Sequence, residues 1–120
     1  MLKSVNLLDT MSAMAGHAAK RHAVIAENIA NADTPGFQAQ DIQPFAEIFE
    51  IAARDKKNIK TLQADVVLMD VNAAASPNGN TVSLEQQMMH SVQAKGDHDM
   101  ALAVYRKSLD MMKMALGKNI

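Results

Sequence analysis

The stretch that decides the fold is NIANADTPGF, residues 28–37, because a long helical pattern precedes it and stops there. Proline disfavours the helical conformation in the residue before it, so Thr34 is expected to leave the helix. Pro35 and Gly36 suit the two central positions of a type II turn, in which the glycine accepts a positive φ. Asn31 can hydrogen-bond nearby backbone groups and favours a helix exit. The stretch therefore predicts the end of a helix and a sharp change of direction.

Upstream of this turn, residues 4–32 predict one long helix. Apolar or small side chains recur at alternating intervals of three and four residues, which is a heptad seam. At about 1.5 Å per residue, such a helix is roughly 40 Å long. Further apolar residues lie off the seam, so the helix is expected to be buried on more than one side. The seam residues are Leu8, Met11, Ala15, Ala18, His22, Ile25 and Ile29.

Residues 83–117 predict a second long helix. Ser83 followed three residues later by Gln86 is typical of a helix N-cap, and Gly117 is a candidate stop at the other end. A second seam runs through Leu102, Tyr105, Leu109, Met112 and Leu116.

The second seam weakens upstream, where the same spacing passes through His98 and Lys95 before it reaches Met88 and Leu84. Gly96 costs about 1 kcal/mol relative to alanine inside a helix. We therefore expect a kink there, with Asp97 or Asp99 capping the next stretch.

The middle of the chain gives weaker patterns. Residues 45–54 predict a short amphipathic helix with Phe45, Ile48, Phe49 and Ala52 on one face. Residues 66–71, VVLMDV, fit either a short strand or a docking strip, and periodicity does not decide between them. Residues 72–80 are rich in turn formers and are expected to be mobile.

These patterns predict an all-α fold in a single domain, residues 1–120. Long N-terminal and C-terminal heptad helices, 4–32 and 83–117, pack as an antiparallel, coiled-coil-like hairpin. The intervening residues, 33–82, supply the turn, a short helix and a flexible, loop-rich middle.

Composition excludes several functions. The net charge of −1 leaves no basic excess for nucleic acid, and the absence of cysteine excludes disulfides and thiol chemistry. The N-terminus has helical spacing interrupted by Asp9, so we do not expect it to be a cleaved signal peptide. No run of apolar residues is long enough to span a membrane.

No motif of an enzyme, a phosphate-binding loop or a small-molecule site is present, so catalysis and a cofactor are not expected. Four histidines raise the question of a metal site. His17 and His22 do not share a helix face well, and His90 and His98 lie about 12 Å apart along a helix. We expect no metal site, and solvated or capping roles for residues 97–99. His22 is expected to be a partly buried packing or hydrogen-bonding residue.

The string at residues 28–37 resembles the Asn-(two residues)-Thr-Pro-Gly-(Tyr or Phe) signature of the bacterial flagellar axial proteins, which follows an N-terminal heptad helix in that family. The residues that carry the resemblance are Asn28, Asn31, Thr34, Pro35, Gly36 and Phe37. GNTVSLEQQM, residues 79–88, and the tail at 101–117 resemble the C-terminal helix of the proximal rod subunits in this family. The resemblance therefore covers both ends of the chain.

This resemblance implies a structural subunit of the flagellar proximal rod, the torque-transmitting shaft of the basal body. It implies export in the unfolded state through the flagellar type III apparatus, without a cleaved signal, to a periplasmic rod. The expected partners are other rod subunits and the basal-body membrane ring or its adaptor. The heptad seams would be the assembly surfaces, and neighbouring subunits would supply part of the burial that one short chain lacks.

Two alternatives remain open from the sequence. Methionine-rich amphipathic helices would also suit a small export chaperone or helical binding protein. A chaperone has no reason to carry the string at residues 28–37, whereas a rod subunit does. The other alternative is a different subunit of the same proximal rod.

Overall fold

The computed structural model describes residues 7–69 and 75–117, in which two long helices are joined by a smaller unit. The order along the chain is α1 (Leu7–Ala30), β1 (Gln40–Ile42), α2 (Phe45–Asp55), a 3-10 turn (Ile59–Thr61), β2 (Val66–Leu68) and α3 (Leu84–Ala115). The terminal helices pack against each other, which confirms the predicted fold class. The two short strands add a small sheet to it.

The two long helices run antiparallel. Asn28, near the end of α1, contacts Gln87, near the start of α3, and Arg21 reaches Gln93 one to two turns further along. Ser83 caps α3, since its hydroxyl accepts a hydrogen bond from the Gln86 N–H at 3.2 Å. The predicted N-cap is therefore confirmed.

The buried line of α3 differs from the predicted seam. It runs through Gln87, Ala94 and Ala101, which are spaced by seven residues and almost fully buried. Upstream, where the sequence pattern weakens, the side chains of Lys95, Met88 and Leu84 are exposed and do not continue the seam. Small side chains let two helix backbones approach closely, so alanines rather than the large apolar residues occupy the interface.

The predicted seam of α1 is buried only in part. Ala15, Ala18 and Ile25 are buried, and Leu8 and Met11 are half-buried. His22 and Ile29 are exposed, so the expected packing role of His22 is wrong. In α3, the side chains of Leu102, Tyr105 and Leu109 are half-buried, while Met112 and Leu116 are exposed.

A separate core lies on another face of α1, where the middle of the chain packs. Val24 of α1 contributes to it together with residues from β1, α2, the 3-10 turn and the segment before β2. The buried members are Val24, Ile42, Ile48, Ile59 and Ala64. The prediction that α1 is buried on more than one side is therefore confirmed.

The middle of the chain carries the small sheet. β1 and β2 pair antiparallel, with Asp41 opposite Val67, so VVL of the ambiguous segment 66–71 forms a strand. Arg21 of α1 holds this sheet in place, since its guanidinium forms two hydrogen bonds, 3.1 and 3.2 Å, with the Asp41 carboxylate. Such a two-pronged pair fixes orientation as well as distance.

Two other expectations need correction. Helix α3 runs through Gly96 without interruption, so the predicted recapping by Asp97 or Asp99 is wrong. In α2 the side chain of Phe49 is exposed rather than packed with Ile48. Of the segment 72–80, residues 75–80 form a defined turn, and residues 72–74 lie outside the described part of the chain.

A candidate junction between two segments

The turn predicted from residues 34–37 is present. The Phe37 N–H donates to the Thr34 carbonyl at 3.2 Å, and Gly36 has a φ of 76°. These are the features of a type II turn with proline and glycine at its centre. The side-chain amide of Asn31 donates to the Glu27 carbonyl at 2.9 Å, which satisfies an acceptor at the end of α1.

Asn80 fastens this turn from a distant part of the sequence. Its side-chain amide donates to the carbonyls of Asn31 and Thr34, at 2.9 and 2.7 Å. Its side-chain oxygen accepts from the Val82 N–H at 2.8 Å, and the residue is 4% exposed. One buried side chain therefore links the exit of α1 to the entry of α3.

Backbone contacts extend the same link on both sides of Asn80. The Gly36 N–H donates to the Asn78 carbonyl at 2.9 Å, and the Thr81 N–H donates to the Phe37 carbonyl at 3.0 Å. The Thr81 hydroxyl accepts from the Ala39 N–H at 2.8 Å. We call residues 28–40 and 76–87, joined by these contacts, the junction.

Asn28 completes the junction inside the protein. Its side chain exchanges two hydrogen bonds with the backbone of Gln40, donating to the carbonyl at 2.7 Å and accepting from the N–H at 3.0 Å. The same amide donates to the Gln87 side-chain oxygen at 2.9 Å. Both side chains are fully buried, so the hydrogen bond between them pairs two polar groups that water does not reach.

The predicted residues Asn28, Asn31, Thr34, Pro35, Gly36 and Phe37 are therefore brought together in one place. The sequence reasoning missed their counterparts Asn80, Thr81 and Gln87. A signal was available, because GNTVSLEQQM had itself been noticed as a second stretch resembling the axial proteins. Two polar stretches of such specific character, one after α1 and one before α3, can satisfy each other's buried groups.

The turn makes a specific demand on Gly36. A Cβ atom at this position would meet no atom within 4 Å, so the constraint at Gly36 is the positive φ rather than lack of space for that atom. We expect Gly36→Val to lower the free energy of unfolding by about 1–2 kcal/mol, because an L residue is strained at positive φ. Gly36→Asn, which tolerates this conformation, is the control in urea unfolding monitored by circular dichroism. Equal stability of the valine variant and the parent chain would contradict the assigned turn.

Lys95, His98 and Asp99 lie outside the junction and form surface interactions. Lys95 donates to the Asp99 carboxylate at 2.9 Å and, through this hydrogen bond and then its charge, holds the pKa of Asp99 below its ordinary value. His98 Nδ1 lies 3.9 Å from the same carboxylate. Within the described residues, no group of three or more potential ligands is placed to hold a metal ion.

None of the described helices is long and apolar enough to cross a membrane.

Comparison with known proteins identifies the same segment. A family model described as "Flagella basal body rod protein" matches residues 9–38, which include most of α1 and the type II turn. The flagellar basal body rod protein FlgB of Agrobacterium fabrum is 26% identical over 98% of this chain and 97% of that protein.

Two further relatives have the same description. FlgB of Salmonella typhimurium is 28% identical over 84% of this chain and 86% of that protein. FlgB of Proteus mirabilis is 35% identical over 57% of this chain and 62% of that protein. The junction residues, the family match and the near full-length similarity to one FlgB protein agree: the chain is similar to the flagellar basal body rod proteins.

Proposed function

We propose that this chain is a structural subunit of the flagellar basal-body rod, of the FlgB type, and that it assembles with other flagellar components into the torque-transmitting shaft. The observation that carries the proposal is the junction, in which the two segments resembling the axial proteins, residues 28–37 and 79–88, fasten the hairpin together. Closure of the hairpin by these hydrogen bonds would suit a load-bearing subunit.

The surface of α3 supports an assembling role. Large apolar side chains are exposed along it, among them Met88 at 65%, Val92 at 73% and Met100 at 53%. Large apolar patches on a protein surface are typical of sites that bind another protein. Met112 and Leu116, at the end of the predicted seam, are also exposed.

The proposal places the chain in the proximal, periplasmic part of the rod. Its partners there are adjacent rod subunits and the membrane ring or adaptor from which the rod extends, and it reaches them through the type III export apparatus. Contacts that relate successive subunits by rotation and translation, without closing into a ring, produce a helical shaft. The exposed face of α3 and the outer parts of the two seams are the surfaces we assign to those contacts.

Electron microscopy of basal bodies from a strain lacking this chain tests the proposal. We expect membrane rings from which no rod extends, and rods restored by the parent gene supplied in trans. Complete rods and hooks in the deletion strain would contradict the proposal, provided that the genome contains no second copy.

The exposed face of α3 gives a separate prediction. Val92→Lys should leave the free energy of unfolding within about 0.5 kcal/mol of the parent, because the side chain is exposed. Its incorporation into rods should fall strongly, because a charge would have to be buried between subunits. The measurement is immunoblotting of purified basal bodies together with swimming in soft agar.

Val92→Leu is the matched control, since it keeps the apolar character of the position. It should incorporate and support swimming normally. Incorporation of the lysine variant at the level of the leucine variant would exclude this part of α3 from the assembly surface.

A further inference from the structure

The loop that precedes Asn80 contains a chemically sensitive pair, Asn78–Gly79. The Gly79 N–H donates to the Ser76 carbonyl at 2.8 Å, and the Ser76 N–H donates to the Asn80 carbonyl at 2.9 Å. Gly79 has a φ of 84°. The loop is a tight turn followed by a left-handed glycine, a geometry that glycine favours. Asn78 itself is exposed to solvent.

Asn78 is the one asparagine in the sequence that is followed by glycine. In such a pair the backbone nitrogen of Gly79 can attack Cγ of Asn78, because glycine has no side chain to hinder the approach. The N–Cγ bond forms, the Cγ–Nδ2 bond breaks, and ammonia leaves with the proton of the Gly79 amide. Water then opens the cyclic imide to give aspartate or isoaspartate at position 78.

The folded loop opposes each requirement of this reaction. The attacking nitrogen must lose its proton, yet that N–H is donated to the Ser76 carbonyl. The Asn78 side-chain oxygen is held by the Ser76 hydroxyl at 2.5 Å and by the Asn80 N–H at 3.0 Å, which fixes the amide that would have to rotate. The Asn78 carbonyl is anchored by the Gly36 N–H at 2.9 Å.

We propose that Asn78 is a deamidation site that is reactive in the unfolded chain and is protected by closure of the junction. The product would also prevent closure. Isoaspartate inserts an additional methylene group into the backbone at position 78, which displaces the carbonyl that accepts from Gly36. A chain that remains unfolded for long would therefore lose the ability to close the junction between α1 and α3.

The test compares the purified full-length chain in native buffer with the same chain in urea, at equal pH and temperature. Peptide mapping by mass spectrometry follows conversion of Asn78, and hydrolysis in heavy-oxygen water marks the imide product. We expect conversion in the native chain to be slower by about tenfold or more, since it must proceed through local opening. Equal rates in the two conditions would overturn the proposal.

A variant that loosens the junction gives the second arm. Asn80→Ala removes the side chain that fastens the loop to Asn31 and Thr34, and it should accelerate conversion of Asn78 in native buffer by several-fold. Asn58→Ala, which removes an asparagine cap far from the junction, should leave the rate unchanged. A folded Asn80→Ala chain that deamidates at the parent rate would also overturn the proposal, and the comparison in urea does not depend on the stability of either variant.

Discussion

Asn28→Ala is expected to lower the free energy of unfolding by about 2–4 kcal/mol. The substitution removes three hydrogen bonds at once, two with the backbone of Gln40 and one with Gln87. Gln87 is 0% exposed, so its side-chain oxygen would be left without a partner and cut off from bulk water, at the cost of its desolvation. Urea unfolding of the purified chain, followed by circular dichroism, measures the change.

Asn31→Ala is the matched control for this prediction. Its side chain bonds to the Glu27 carbonyl near the surface, so its loss should cost at most about 1 kcal/mol. The pair Asn28 and Gln87 also allows a double-mutant cycle with alanine at each position. We expect a coupling energy of about 1–3 kcal/mol, because the two side chains share one buried contact. Additive effects would show that the contact does not form in solution.

Ala101→Leu should have the second large effect, a loss of about 1–3 kcal/mol of unfolding free energy. Ala101 is 0% exposed on the buried line of α3, so three additional heavy atoms would have to push the helices apart. Ala103→Leu makes the same chemical change two residues away, at an exposed position of the same helix. Since leucine and alanine have similar helix propensities, the control should change stability by no more than about 0.5 kcal/mol.

Thermal unfolding of the two leucine variants distinguishes this interface from the one predicted by the large apolar residues. If Ala103→Leu were the destabilising change and Ala101→Leu the neutral one, the buried face of α3 would have been assigned to the wrong side of the helix.

Local rules were sufficient for the parts of the fold that depend on local chemistry. The restriction that Pro35 imposes on Thr34 predicted the end of α1, and the positive φ of Gly36 followed from the Pro-Gly pair. Ser83 was identified as the cap of α3 from its spacing to Gln86. Each of these features is decided by residues within a few positions of one another.

The helix interface was not predictable in this way. The predicted seam follows Leu102, Leu109 and Met112 because large apolar residues dominate any periodicity count, whereas the structure buries Ala94 and Ala101. Alanine is common on both the buried and the exposed faces of helices, so an alanine in the sequence is a weak signal for burial. The exposed methionines lie on the surface that we propose for assembly. In one sequence, the apolar residues of such a surface give the same pattern as those of a hydrophobic core.

The long-range contacts of the junction could not be predicted from local rules either. Asn28 was singled out as a member of a motif, but the role of its side chain depends on Gln40 and on Gln87, which lies 59 residues away. Asn80 looked like one more polar residue in a turn-rich segment expected to be mobile. A buried polar side chain requires partners, and one sequence does not say where in the fold they are.

A high-resolution electron cryomicroscopy map of the basal body containing this chain tests the central claim most directly. We expect density for the chain in the rod as an antiparallel hairpin, with the Asn80 side chain between the carbonyls of Asn31 and Thr34. The exposed face of α3 should then lie against a neighbouring subunit. A rod that lacks this chain, or that contains it with α1 and α3 separated and the junction open, would contradict the account.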